Sequence, residues 1–549
     1  MKPSAIHRCL ILTSSPKKSL NSEAIAKLSD YVASGAILLS PNILSSASAD
    51  IKKLFGVSDV SVTSKKSKRV LNWTSESHPE LVYIDEPEEL TTAIGSINVS
   101  SFIPSTGTKL AWFDDESERA AVVKNNIGKG ATYLFGLLWR DVIQRPQLDK
   151  DMETGRGRSN TFEPSADIYP LFLRAAYVAA NPVTAWKYTV PDGYSSVLIP
   201  THDCDSRTAY DAMHYMADYE RSLGLNGHYF LTVHYFKQPN YLSAFYCDET
   251  MPAARKLLAD GHTVGSHSIC HFPDFGSYKN NELEERFPMK VYTKEEYALY
   301  ASHDPATKTS YGSTWAELVL SKQIIENDLG NKVRSFRSGH LCINSHMPEA
   351  HKIAGYNFSS CYTATSVQSQ FPFMQRMKND WTGDFSGTLQ IPLHFSDVFQ
   401  VEAMSEDNYK EKAKVWIELF NKLKGNYASS VILIHPNREW KMIAQKILID
   451  NMDLTDCGLY NFEAYGDFWL GRTSFDFESF WLPSERKFII RADADAIAAN
   501  PSLSLMVELP AGVDAAEAGI ANITLIDENS KVHPVRIRHI SDSRYLVML

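Results

Sequence analysis

VLIPTHDCDS, residues 197–206, is an apolar run that ends in two carboxylates. Val197 to Thr201 has the composition of a buried strand, and on an extended backbone alternate side chains share a face. Asp203 and Asp205 therefore project together, while Cys204 points the other way, into packing rather than chemistry. Six further strand-like runs follow: His228 to Val233, Thr263 to His267, Val333 to Arg337, Phe358 to Tyr362, Leu389 to Leu393 and Val431 to His435. Helical patterns lie between them, over Thr208 to Leu223, Met251 to Asp260, Trp315 to Leu329, Met347 to Ala354, Asn408 to Lys424 and Lys441 to Asn451. Alternating strands and helices predict an α/β fold, here a distorted (β/α)7 barrel over 182–475, with short connections and right-handed crossovers.

Four of the seven strands end in residues able to do chemistry, at the end of the strands where such barrels place their sites. In HSICH, residues 267–271, His267 and His271 are four apart, so both imidazoles can reach one ion from a helical turn or a tight loop just after a strand. Asp205 adds an anionic third ligand, and a His, His, Asp set leaves positions open for water and substrate, as a catalytic ion requires. Asp203 is then free to face the bound water as general base, and Arg337, in RSGH at 337–340, is a fixed cation that can keep it ionised. Taken singly, each string also fits a solvated Asp pair, two surface histidines or a surface arginine. LIHP, residues 433–436, adds His435 at the end of the last strand.

In this order the motifs resemble the polysaccharide deacetylases of the NodB-homology type, carbohydrate esterase family 4, over about Val197 to Pro436. GHTVGSHSICH, residues 261–271, is the most specific part, and LQIPLH, 389–394, is similar to a Leu-x-x-Pro strand of that family. The resemblance implies metal-dependent removal of N-acetyl groups from an amino-sugar polymer or oligosaccharide, with release of acetate. It implies Asp203 as base, Asp205, His267 and His271 as metal ligands, Arg337 as the residue orienting the base, and His435 as the acid that protonates the leaving amine. Zinc suits these ligands, and Co2+, Ni2+ or Mn2+ can replace it. The chain departs from the family in separating its first two carboxylates by Cys204, in lacking a proline after Arg337, and in having Pro436 after the terminal histidine. The Asp-Trp motif that tunes that histidine has no match at Phe358 to Tyr362, and Asp380-Trp381 is a displaced candidate. Such a divergent branch is loosely similar to deacetylases accompanying exopolysaccharide or biofilm-matrix synthesis. The other readings are an inactive carbohydrate-binding scaffold and a hydrolase of a small non-sugar amide.

The chain's 549 residues exceed one ordinary core. Residues 1–150 alternate strand-like runs (Cys9 to Thr13, Ala36 to Ser40, Leu110 to Phe113, Ala131 to Leu138) with helical patterns over Ser22 to Ser34 and Glu116 to Asn126. This predicts a parallel, open α/β sheet; GKGATYLFGL, residues 128–137, a Gly turn followed by a strand, resembles the last strand of flavodoxin- or amidotransferase-like accessory domains. The amidotransferase relatives use a Cys on a sharp turn, whereas Cys9 lies within a strand-like run, so this domain is expected to be structural or substrate-presenting. Asp149 to Ser165 reads as a linker or surface loop, and Phe272 to Thr314 as an insertion that shapes a groove or covers the barrel. Short strand-like runs over 481–549 predict a small β-sandwich, either carbohydrate-binding or packing.

A net charge of -10 with scattered Lys and Arg lacks the basic footprint that nucleic-acid binding needs. Seven cysteines with irregular spacing do not make a disulfide framework. The apolar run Cys9 to Thr13 is too short for a signal-peptide core or a transmembrane segment. The expectation is a cytoplasmic protein if this is the native start, and a secreted or envelope protein if a signal was trimmed. His202, His262, His340 and His394 are expected to pack behind the ligands. Trp381, Trp440 and Tyr362 are expected either to stack on sugar rings or to fill core.

Overall fold

The computed structural model describes residues 9–12, 20–43, 45–63, 69–84, 91–95, 98–114, 116–144, 167–180, 183–237, 244–271, 293–300, 302–304, 308–310, 313–343, 346–363, 370–377, 383–398, 402–509, 522–541 and 543–549. The chain forms two compact units, one spanning Tyr188–Ser474 and the other combining Met1–Pro146, Glu163–Lys187 and Phe475–Leu549.

The first of these carries the motifs. Its main parallel strands are β1 Ser196–Cys204, β2 His228–Leu231, β3 Thr263–Ser266, β4 Ser335–Phe336, β5 Phe358–Ser359, β6 Phe385–Gln390, β7 Phe395–Ser396 and β8 Ser430–Leu433, and Cys457–Leu459 also pairs with the start of β1. Each expected run contains or overlaps one of them. β1 pairs with β2 on one side and β8 on the other, and the ladder continues β2, β3, β4, β5, β6. Beyond β6 the same stretch of chain bridges to β5's extension at Leu393, opposite Thr363, and then pairs as β7 with β8. Residues 389–396 thus join the two ends of the ladder.

Every residue of β1 is buried, which is why Val197 to Pro200 is apolar on both faces. The helices that bear on the site are α1 Arg207–Ser222, α2 Met251–Ala259, α3 Lys294–Tyr300, α4 Ser321–Leu329, α5 Met347–Ala354, α6 Tyr409–Gly425 and α7 Glu439–Asp450, with a π-helical turn Ala316–Leu320 leading into α4. α1 begins directly after the acids: Ser206 caps it, its side chain accepting from Ala209 N–H. Apolar side chains of these helices, among them Met213, Ile324 and the fully buried Trp416, form one core with those of the strands. Cys204 is in that core beside Met213, as the alternation requires.

In the other unit the sheet over 9–135 differs from the expected parallel one. Cys9–Ile11, Ile37–Ser40 and Gly130–Phe135 are parallel, but Val122–Ile127, Thr108–Phe113, Arg69–Trp73 and Thr91–Gly95 continue it antiparallel. The helix expected over Glu116 to Asn126 is instead the strand Val122–Ile127. A two-residue Gly128-Lys129 connection, with Gly128 at φ 60°, turns this strand straight back into the next, and a turn so short permits only antiparallel pairing. Gly130 is fixed sterically, since a Cβ there would lie 2.0 Å from the Ala36 carbonyl oxygen. Alternation sorts this sheet's residues into two cores: Ile37, Leu39, Tyr133 and Phe135 pack with Phe172 of the helix Ile168–Ala180, while Leu38 and Leu134 pack with Ile25 and Val32 of Ser22–Ala33. Burial pushes the Cys9 thiol up to about 11, away from any nucleophilic role.

The C-terminal stretch supplies the expected short strands to two four-stranded sheets, one of which also takes Thr184–Lys187. Among the described residues no helix is long and apolar enough to cross a membrane. The linker expected at Asp149 to Ser165 lies outside the described residues, as does most of Phe272 to Thr314.

Candidate active site

Asp203, Asp205, His267, His271 and His435 meet around one cavity of about 290 Å³, also lined by His340, Leu341, Ser396, Val398 and Leu433. A larger cavity of about 840 Å³ lies in the other unit, but its lining pairs Glu508 with Arg544 and His78 with a largely exposed Glu76, and gathers no cluster of several histidines and carboxylates. The chemistry belongs to the smaller cavity.

Asp203 ends β1 and is buried. Its Oδ1 accepts from Arg337 Nη1 at 2.8 Å, and its Oδ2 lies 3.6 Å from His267 Nε2. Burial alone would raise this carboxyl, but the Arg337 guanidinium, aided by His267 and His435, holds it below the usual carboxylate range. Arg337 is wholly buried; its other nitrogens donate to Thr201 Oγ1 at 2.9 Å, Ser360 Oγ at 2.8 Å and the Ser360 carbonyl at 3.3 Å. Its plane sits 4.3 Å over the Phe230 ring. Three strands thereby fix one cation against one acid, a geometry that only a planar fork of donors can satisfy.

His267 Nδ1 donates to the Arg337 carbonyl at 2.9 Å, which turns its Nε2 lone pair toward the cavity. Burial lowers its pKa despite the neighbouring acids, so the neutral, ligating form is favoured. His271 Nε2 lies 3.8 Å from Asp205 Oδ2, and the two histidine rings are 5.0 Å apart. Two ligands each about 2.1 Å from a tetrahedral ion are about 3.4 Å apart. The His271–Asp205 spacing is close to that, and the tautomer of His267 suits a metal, so the donor chemistry fits a divalent ion. Among the described residues no three such side chains already close around a single point.

His435 faces them from the end of β8, its Nε2 3.5 Å from Asp205 Oδ2. Behind it, Asp397 accepts from His435 Nδ1 at 2.9 and 3.1 Å and from its backbone N–H at 3.0 Å, while Lys441 Nζ on α7 donates to the same carboxylate at 2.6 Å. Burial would strip the proton from His435, but Asp397 and then Asp205 reverse this and raise its pKa to about 9. Burial would likewise raise Asp397, yet His435 and Lys441 pull it far below the carboxylate range. The arrangement is an acid and a base held in opposite protonation states across one cavity.

Asp397 and Lys441 were not singled out from sequence, although LHFSD at 393–397 repeats the pattern of β1, a strand running into a carboxylate. The displaced candidate Asp380-Trp381 lies outside the described residues, as Trp381 does among the stacking aromatics. Tyr362 is core, 2% exposed, and Trp440 is half-buried against Tyr409. His202 spans the Ile434 carbonyl and the Glu220 carboxylate, His262 joins Gly227 to Ala217, and His394 joins Val431 to Gln370, all in the packing as expected. His340 instead lines the cavity, its ring 4.2 Å from that of His271.

Left-handed backbone concentrates here. Among the described residues, four of the eight non-glycine residues with positive φ, Ser268, His271, His340 and Leu341, lie in the two loops flanking the cavity. Such conformations persist only where surroundings enforce them.

Solved structures similar to this chain include polysaccharide deacetylases. A protein from Mycobacterium smegmatis assigned as a polysaccharide deacetylase shares 12% identity over 53% of this chain and 96% of its own, at a TM-score of 0.38. The chitin deacetylase of Colletotrichum lindemuthianum shares 13% over 51% of this chain and 89% of its own, at 0.30. A carbohydrate esterase family 4 pseudoenzyme from Bacillus anthracis shares 12% over 50% of this chain and 66% of its own, at 0.29. No family model and no curated protein matches the chain. At these values the functional reading rests on the residues of the cavity.

Proposed function

We propose that this protein is a metal-dependent hydrolase that removes N-acetyl groups from an amino-sugar polysaccharide and releases acetate. The observation that carries this reading is the pairing of Asp203, ionised by Arg337, with His435, held protonated by Asp397, across one small cavity. An amide needs both a base for the attacking water and an acid for the departing nitrogen, because an unprotonated amine is a poor leaving group. Asp205, His267 and His271 would hold the ion, zinc or in its place cobalt, nickel or manganese, which when bound polarises the acyl carbonyl and acidifies a water. Asp203 takes a proton from the attacking water; His435 Nε2 delivers one to the nitrogen as the C–N bond breaks. Leu341, Val398 and Leu433 offer apolar surface to an acetyl methyl, and no nucleophilic Ser or Cys is needed.

A cavity of about 290 Å³ accommodates one acetamido group more readily than a whole sugar ring, and this favours as second reading a hydrolase of a small non-sugar amide. The intact acid–base pair speaks against an inactive sugar-binding scaffold. The test is acetate release by zinc-loaded protein from N-acetylated hexosamine oligomers and polymers, beside Asp203→Asn and a chelator-treated sample. Release abolished in both controls supports the first reading. Release from small amides alone transfers the assignment to the second, and no release from either class removes both.

A further inference from the structure

Between His267 and His271 the chain makes a buried loop whose own backbone does not close it. Ser268 and His271 are left-handed, at φ 71° and 55°, and neither Ile269 N–H nor Cys270 N–H meets a carbonyl among the described residues. Both amides instead donate to one oxygen, Glu317 Oε2, at 2.7 and 3.0 Å. Glu317 is 2% exposed and sits on the π-helical turn Ala316–Leu320, far along the chain from the loop it holds. Its other oxygen accepts from the Tyr297 hydroxyl on α3. α3 is itself anchored where Tyr235 donates to the Lys294 carbonyl at 2.6 Å. One turn beyond Glu317, Ser321 Oγ meets Ser266 Oγ at 2.7 Å, just ahead of His267.

We infer that Glu317 is a positioning residue for His267 and His271, setting the spacing of the two imidazoles through the amides between them, with Tyr297 fixing the carboxylate that does so. The inference rests on the metal reading above. A buried carboxylate placed here is otherwise costly, since burial raises its pKa against the pull of its donors. It is tolerated because two buried N–H groups in a left-handed loop meet no other acceptor among the described residues.

The test uses the full chain and Co2+ alone, followed by its visible absorption, which reports ligand number and geometry, and by competition against a chelator. Glu317→Leu, which removes the acceptor at similar size, should weaken Co2+ binding about 10- to 100-fold and alter the spectrum, the range for groups that orient metal ligands. Glu317→Gln, which keeps an acceptor, should recover most of the loss. Tyr297→Phe should weaken binding about 3- to 10-fold. His214→Gln, an exposed change on α1, should leave affinity and spectrum as they are. Wild-type affinity and spectrum in Glu317→Leu overturn the inference; if that variant does not fold, the same result in Tyr297→Phe does. Wild-type protein that binds no Co2+ overturns both this inference and the metal reading, whereas cobalt binding with the expected losses but no acetate release defeats the proposed reaction alone.

Discussion

His435 is useful as an acid only while it keeps a proton in a partly buried place, and Asp397 is what lets it. Asp397→Asn retains the shape and removes the charge, so His435 loses its main electrostatic support and its orienting acceptor. We expect kcat to fall by about 10²- to 10⁴-fold with KM little changed, the range for losing a positioned acid; a rise in KM with kcat unchanged would instead point to damaged binding. Arg337→Lys tests the opposite side of the cavity. An ammonium can satisfy Asp203 Oδ1 but cannot also reach Thr201 and Ser360 as the guanidinium does. A folded protein with about 10- to 100-fold lower acetate release is expected, in line with a misplaced catalytic group. Asp203, Arg337 and His435 were legible in the sequence because each ends a strand in a short string with its neighbours. Asp397 was not, because its partner is brought to it by the pairing of β7 with β8, which local spacing does not encode.

At the scale of elements, the loop after β4 is built around His271. A Cβ on Gly339 would lie 2.7 Å from His271 Cδ2 and 3.1 Å from its Cα, so the glycine makes room for a ring rather than for an unusual backbone angle. Gly339→Ala should displace His271 and weaken zinc binding, measured by titration calorimetry, while costing about 1–3 kcal/mol of stability from overpacking. Unchanged zinc affinity would mean that His271 is not held by this contact. The same scale shows where sequence reading works and fails. β1, α1 and α7 were legible because long apolar runs and helical periodicity are local properties. Val122–Ile127 was misread because the charged and small residues before it, Glu116 to Ala121, suggest a helix, and only its pairing with Gly130–Phe135 across the Gly128 turn makes it a strand. Tertiary pairing overrides propensity in such short segments.

The unit that carries the cavity should also be acid-sensitive as a whole, for reasons separate from catalysis. His351 and His394 are buried, and burial lowers each to about 4. His394 is held as a neutral ring, accepting from Val431 N–H at 3.0 Å and donating to the Gln370 carbonyl at 2.9 Å, so a second proton would cost it the first of these bonds. In the unfolded chain a histidine titrates near 6.5. As pH falls from about 6.5 toward 4, the unfolded state therefore takes up protons that the folded state refuses, and stability declines by about 1.4 kcal/mol per pH unit for each such group. Glu317 and Glu463, both raised, take up protons in the folded state above about 4.5 and so offset part of this loss within the window, whereas Asp203, Glu220 and Asp397, all depressed, add losses of the same sign as the histidines below it. Because the chain has two compact units, a single melting temperature would mix their transitions. Hydrogen exchange of β1 and β8, read by mass spectrometry between pH 7 and 4 and corrected for intrinsic rate, isolates the opening of this unit. Wild-type protection should fall progressively through the window, and His394→Gln, which fills the site without a titratable ring, should show a slope shallower by about one proton. Identical slopes in the two proteins would show that His394 takes up its proton equally well folded and unfolded, and that its burial does not govern the acid response.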